Sequence, residues 1–173
     1  MKTRTRALTF TALAVAGSVM ILYFGLLFPA MALTFAALAS LLVAVTVIEG
    51  GLKYGILCFL ATAALGLLLA TGIGAILYLT LFGLYPLVKS IAERQRSQIL
   101  GWVIKLLVFL FALSYYIFVW VELLLGVMPL IDQAWPVIYA AGVAAFVVYD
   151  IGLSKLIGFY LARIYKNRGG DGL

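Results

Sequence analysis

Eight residues in the second half and middle of the chain have the types that hold a small molecule: Tyr78, Tyr115, Tyr116, Trp120, Glu122, Asp132, Trp135 and Tyr139. Flat rings offer stacking area at low entropic cost, and a carboxylate accepts hydrogen bonds or pairs with a cation. On a helix Tyr115 and Glu122 are seven residues apart and share a face. With Asp132, Trp135 and Tyr139 following across a turn, and Tyr78 from an earlier segment, they make a candidate outward-opening cavity. Tyrosine and tryptophan also gather at membrane interfaces for reasons unrelated to ligands. Glu122 is harder to explain that way, because it interrupts an apolar run.

A second charged position is Asp150, in FVVYDIGLSK. Its four-residue neighbours Gly142, Phe146, Ser154 and Gly158 form a small and polar ridge suited to helix contact. A charge at the centre of a membrane helix costs about 2.5–3.5 kcal/mol on insertion scales, so it requires a partner or a proton. Lys105, on an antiparallel segment, is the expected partner in a structural ion pair; a proton or ion site is the alternative.

The remaining chemistry is excluded by residue type. The chain has no histidine and one cysteine, Cys58, so a Ser-His-Asp set and an internal disulfide are both ruled out. No cysteine and carboxylate cluster suggests a metal, Gly50-Gly51 with Gly55 is too short for a nucleotide loop, and no cofactor is expected. Catalysis is not expected. Cys58 reads as a small buried residue.

The elements that must position these residues are membrane helices. Of 173 residues, 66% are hydrophobic and 10% charged, and the mean hydropathy is +1.23. A soluble domain of that composition would expose too much apolar surface. Punctuation at Pro29, Glu49-Gly50-Gly51, Thr71-Gly72, the polar run Lys89–Gln98 and Gly126–Pro136 divides the chain into six spans. These are Leu8–Phe28, Ala30–Ile48, Tyr54–Ala70, Ile73–Val88, Ile99–Leu125 and Trp135–Leu161. The expected fold is all-α, one compact six-helix transmembrane domain covering 1–173, with a short cytoplasmic tail at 162–173. Pro86 is expected to kink or end the fourth span. The basic head and Ala30-Met31-Ala32 imitate a secretory signal, but Ala7–Phe28 is long enough to span and reads as a retained first helix, with cleavage as the alternative.

The net charge of +6 follows topology. Lys2, Arg4, Arg6, Lys53, Lys89, Arg94, Arg96, Lys166 and Arg168 all fall in pieces on one side if both termini are cytoplasmic. Lys105, Lys155 and Arg163 lie at inner span ends, where they can snorkel, while Asp132 falls outside. The basic excess thus meets anionic lipid, and nucleic acid is not an expected partner.

In the first span, TALAVAG places Ala12 and Ala16 four apart, a spacing that lets another helix approach closely. With the six-span topology, this alanine pair resembles the S components of energy-coupling factor (ECF) transporters, in which such a motif on the first helix packs against a transmembrane T subunit. The resemblance implies a substrate-binding subunit for a vitamin-like small molecule in the bacterial plasma membrane, energised by partner ATPases. The family binds substrate on its outer side, which corresponds here to the group around Tyr116, Trp120, Glu122, Trp135 and Tyr139. The alternative is a non-transporting membrane scaffold, since size and topology also resemble the cell-shape subunit MreD.

Overall fold

The computed structural model describes residues 2–93, 98–118 and 135–162, which are helical with short connections and contain no strand. Residues up to Gly126 form one compact unit and residues from Val127 a second.

In the first unit α1 (Lys2–Leu27) is followed by a single 3-10 turn, Pro29–Met31, and by α2 (Ala32–Gly50). Pro29 sets that turn because its fixed φ suits a helix start and its missing N–H is not needed there. Helix α3 (Leu52–Leu69) begins after a hinge of one residue. Gly51 takes φ +89°, the only positive φ among the described residues, and its N–H donates to the Val47 carbonyl. Only glycine adopts that conformation without strain, so the chain reverses with almost no loop.

The fourth span is assembled from pieces. Helix α4 (Ile73–Leu77) leads into a π turn over Tyr78–Phe82, and α5 (Tyr85–Ala92) completes it. Gly83 N–H closes the wide turn on the Tyr78 carbonyl at 2.7 Å. Pro86 lies in the first turn of α5 and does not end the span, which continues to Ala92. Lys89, the first residue of the segment expected to be a loop, is therefore helical, and the helix runs about one turn further to Ala92. Helix α6 (Gln98–Tyr115) ends the described part of this unit except for a π turn at 116–118.

Lipid offers no hydrophobic drive between helices, so close packing must hold them together. The contacts are made through small residues. Ala14, Val15, Ser18 and Leu22 of α1 are buried with Ala36, Ala39 and Val43 of α2 and with Cys58, Phe59 and Ala63 of α3. A Cβ on Gly66 would meet Leu22 Cδ1 at 3.0 Å, and one on Gly55 would overlap Val47 Cγ2. The Ser18 hydroxyl donates to the Ala39 carbonyl at 3.3 Å across the α1–α2 interface. Other hydroxyls turn back on their own helix: Thr11 to Ala7 O, Thr46 to Leu42 O and Thr80 to Ile76 O. That bond lets threonine sit in an apolar helix without an idle donor. Helix α1 is thus part of the core.

The second unit contains α7 (Trp135–Tyr160). Phe146, Asp150 and Leu153 share one face at helical spacing and are buried, while Val137, Val148, Ile151, Leu156 and Phe159 are exposed. Among the described residues, six helical stretches are long and apolar enough to cross a membrane: Arg4–Leu27, Pro29–Gly50, Leu52–Leu69, Ile73–Ala92, Ile99–Phe118 and Pro136–Tyr160.

Candidate functional site

The end of α5 and the adjoining part of α6 carry a charge cluster. Lys89, 2% exposed on α5, places Nζ 2.9 Å from Glu93 Oε1. Lys105 on α6, also buried, reaches the same oxygen at 3.1 Å. Glu93 caps α5 and is half-exposed, and its Oε1 meets both ammonium groups. Lys105 Nζ additionally lies 5.5 Å above the Trp102 ring, within cation–π range. Two helix properties create this arrangement. Lys89 and Glu93 are i, i+4 neighbours because α5 continues past Val88, and Gly101 lets α6 approach closely enough that a Cβ there would meet the Ala92 carbonyl at 3.0 Å.

Glu93 was not among the residues singled out from sequence, because it lies in the polar run that reads as a loop. The signal that finds it is the Lys89–Glu93 spacing, which has meaning only once the segment is helical. Lys105 pairs with Glu93. Asp150 is buried on α7, where its carbonyl accepts the Ser154 hydroxyl at 2.7 Å.

The aromatic group divides. Tyr78 is wholly buried in the core of the first unit, its ring 6.0 Å from that of Phe59. Tyr116 packs partly against the same core, whereas the adjacent Tyr115 faces outward. Tyr139 is half-buried on α7, and Trp135 opens that helix. Trp120, Glu122 and Asp132 lie outside the described residues, as do Arg94, Arg96 and the tail beyond 162.

Ala12 and Ala16 are both exposed on α1, flanked by exposed Leu13 and Met20. The opposite face of the same helix, with Thr11, Ala14, Val15 and Ser18, is the buried one. Cys58 is buried on α3, and its thiol lies beside the Thr46 and Thr62 hydroxyls.

The class that this fold defines is an all-helical protein whose six apolar helices suit a multi-pass membrane protein. No protein-family model matches the sequence, and neither a curated protein nor a solved structure is significantly similar to it.

Proposed function

We propose that the protein is a substrate-binding subunit of an ECF-type importer of a vitamin-like small molecule, lying in a bacterial plasma membrane with both termini cytoplasmic. The observation that carries this reading is the division of α1: one face is built into the core, while Ala12 and Ala16 stand exposed on the other. Exposed small residues four apart give a partner helix the close approach that drives association in lipid. The T subunit of an energy-coupling module would dock there, and its ATPases would supply the energy. Trp120 and Glu122 remain the residues proposed for the outer ligand site.

The test is co-purification. Ala12→Trp or Ala16→Trp fills the exposed face without entering the core, so each variant keeps its thermal stability and loses a co-expressed T subunit. Retained co-purification overturns the docking reading.

A non-transporting scaffold of the MreD type is the second reading. It is favoured by Tyr78, which is committed to packing against Phe59, and by Tyr115, which faces outward. Native mass spectrometry of gently purified protein separates the two, because only the binder carries a vitamin-sized molecule.

A further inference from the structure

Within the first unit, the charged residues of α1, α2, α3 and the fourth span gather at one end. A Cβ on Gly55 would meet both Val47 and Leu87, so Glu49, Lys53 and Lys89 stand at about one height. On α1 the Ser18 hydroxyl bonds to Ala39, and a Cβ on Gly17 would meet Leu42, which puts Arg4 and Arg6 further out at the same end. The sequence holds no charged residue between Arg6 and Glu49, nor between Lys53 and Lys89.

The opposite end is made by the turns at 28–31 and 70–72, which lie side by side. A Cβ on Gly72 would meet Leu26 Cδ1 at 3.0 Å, and one on Gly74 would meet the Ala32 carbonyl at 3.6 Å. Phe28, Met31, Leu33, Leu68, Leu69 and Ile73 are each more than half exposed there. Across residues 26–33 and 66–76, Thr71 carries the only polar side chain. Turns that face water are rich in side chains that hydrogen-bond, and these are not. Their backbone also bonds inward: the N–H groups of Phe28, Met31 and Ala70 donate to the carbonyls of Phe24, Phe28 and Gly66 at 3.1, 2.9 and 2.9 Å. Internal bonding of this kind is what lipid surroundings demand of a backbone.

The helix lengths supply an independent observation. Leu33 and Glu49 are sixteen residues apart on α2, as are Lys53 and Leu69 on α3. At about 1.5 Å per residue, each pair is separated by about 24 Å along its axis. A hydrocarbon core is about 30 Å thick. With the charges held at one boundary, the apolar turns stop about 6 Å short of the other. A short span is accommodated by local thinning of the bilayer.

We propose that lipid acyl chains cover the charge-free end of the first unit, and that the leaflet there thins by about 6 Å to meet it. The starts of α2 and α4, which no side chain caps, then lie at the level of the lipid ester oxygens, which accept from their free N–H groups. The partner that this surface fits is a thin lipid layer. The inference rests on the six-span membrane reading and is independent of the Ala12 and Ala16 face.

The experiment reconstitutes the full chain in phosphatidylcholine bilayers of short, intermediate and long acyl chains. Nitroxide labels are placed singly on Leu69→Cys, Lys53→Cys and Leu60→Cys; native Cys58 is buried, and the unsubstituted chain is the labelling control. Relaxation by oxygen, which partitions into acyl chains, against a water-soluble nickel chelate reads each environment. In short and intermediate lipid the label at 69 is expected to meet oxygen and be shielded from nickel, while nickel reaches the label at 53. Tm is expected to be highest in the short-chain bilayer and to fall by roughly 5 °C or more in the long-chain one. A label at 69 as open to nickel as that at 53 overturns the proposal. So does a shielded label at 53, which would mean that the charges have sunk instead, and so does a Tm independent of bilayer thickness. Leu60 lies midway along α3, so nickel access there overturns the membrane reading itself, a failure distinct from the others. Should a labelled variant not fold, the Tm of the unlabelled chain across the three lipids decides the question.

Discussion

Glu93→Gln is the sharpest perturbation of the charge cluster, since it preserves shape and removes a negative charge that approaches both Lys89 and Lys105. Both ammonium groups approach the same oxygen, at 2.9 Å and 3.1 Å, and both lysines are buried. An exposed ion pair contributes about 0.2–1 kcal/mol, while removing one partner of a buried pair costs about 3–5 kcal/mol. Glu93 is 51% exposed, so water screens its charge and the larger figure does not apply in full. The lysines, however, cannot recover their hydration without leaving the helix interface. An intermediate loss of about 2–3 kcal/mol results, corresponding to a Tm lowered by about 4–10 °C for a chain of this size.

The assay is thermal unfolding in detergent for Glu93→Gln, Lys105→Met and the double variant. Coupling between residues 93 and 105 should reach about 1 kcal/mol, because each single change removes a contact that the other cannot restore. Lys105→Met keeps much of the apolar stem that covers the interface, so its own cost is mainly that of the lost pair. A Glu93→Gln loss below about 0.5 kcal/mol, or additive single changes, would show that the cluster is no tighter than a surface pair. The reasoning from burial would then fail.

Glycine substitutions test the packing. Gly83→Ala places a Cβ 2.8 Å from both the Tyr78 carbonyl and the Phe59 ring, and the backbone oxygen cannot yield. A loss of about 1–3 kcal/mol in unfolding free energy is expected. Gly152→Ala in α7 meets nothing within 4 Å, and circular-dichroism melting should show it neutral or slightly stabilising, by up to about 1 kcal/mol from helix propensity. Asp150→Asn should cost about 2 kcal/mol or more and leave any co-purifying ligand in place. A stable variant that loses its ligand would instead make Asp150 part of the binding site.

Hydropathy locates membrane helices well because each span must be continuous and about 20 residues long. The breaks at Pro29, Gly50-Gly51 and Thr71-Gly72 are legible for the same reason: the residues that interrupt the pattern also set the turn, as Gly51 does with its positive φ. The C-terminal end of the fourth span is not legible that way. Lys89 lowers the local hydropathy and looks like a loop residue, but Glu93, five residues beyond the expected end of the span, offsets its charge once the segment is helical, and α6 packs against that end of α5. Charge burial depends on tertiary partners, which a running average cannot register.

Tyr78 illustrates the other gap. Its position in the outer half of the fourth span made it a candidate for the aromatic cavity, and position along a span says nothing of which face a ring takes. The π turn inserts the equivalent of one extra residue, which turns the faces before and after it by about 100° relative to each other. Tyr78 opens that turn and its ring lies on Phe59, while Gly83 closes it and admits the same Phe59 ring from the far side. The packing of Phe59 thus requires both the absent side chain at 83 and the widened turn at 78. A sequence pattern shows Gly83 as a helix breaker, but its role is steric, and the residue that gives it meaning lies 24 positions earlier on α3.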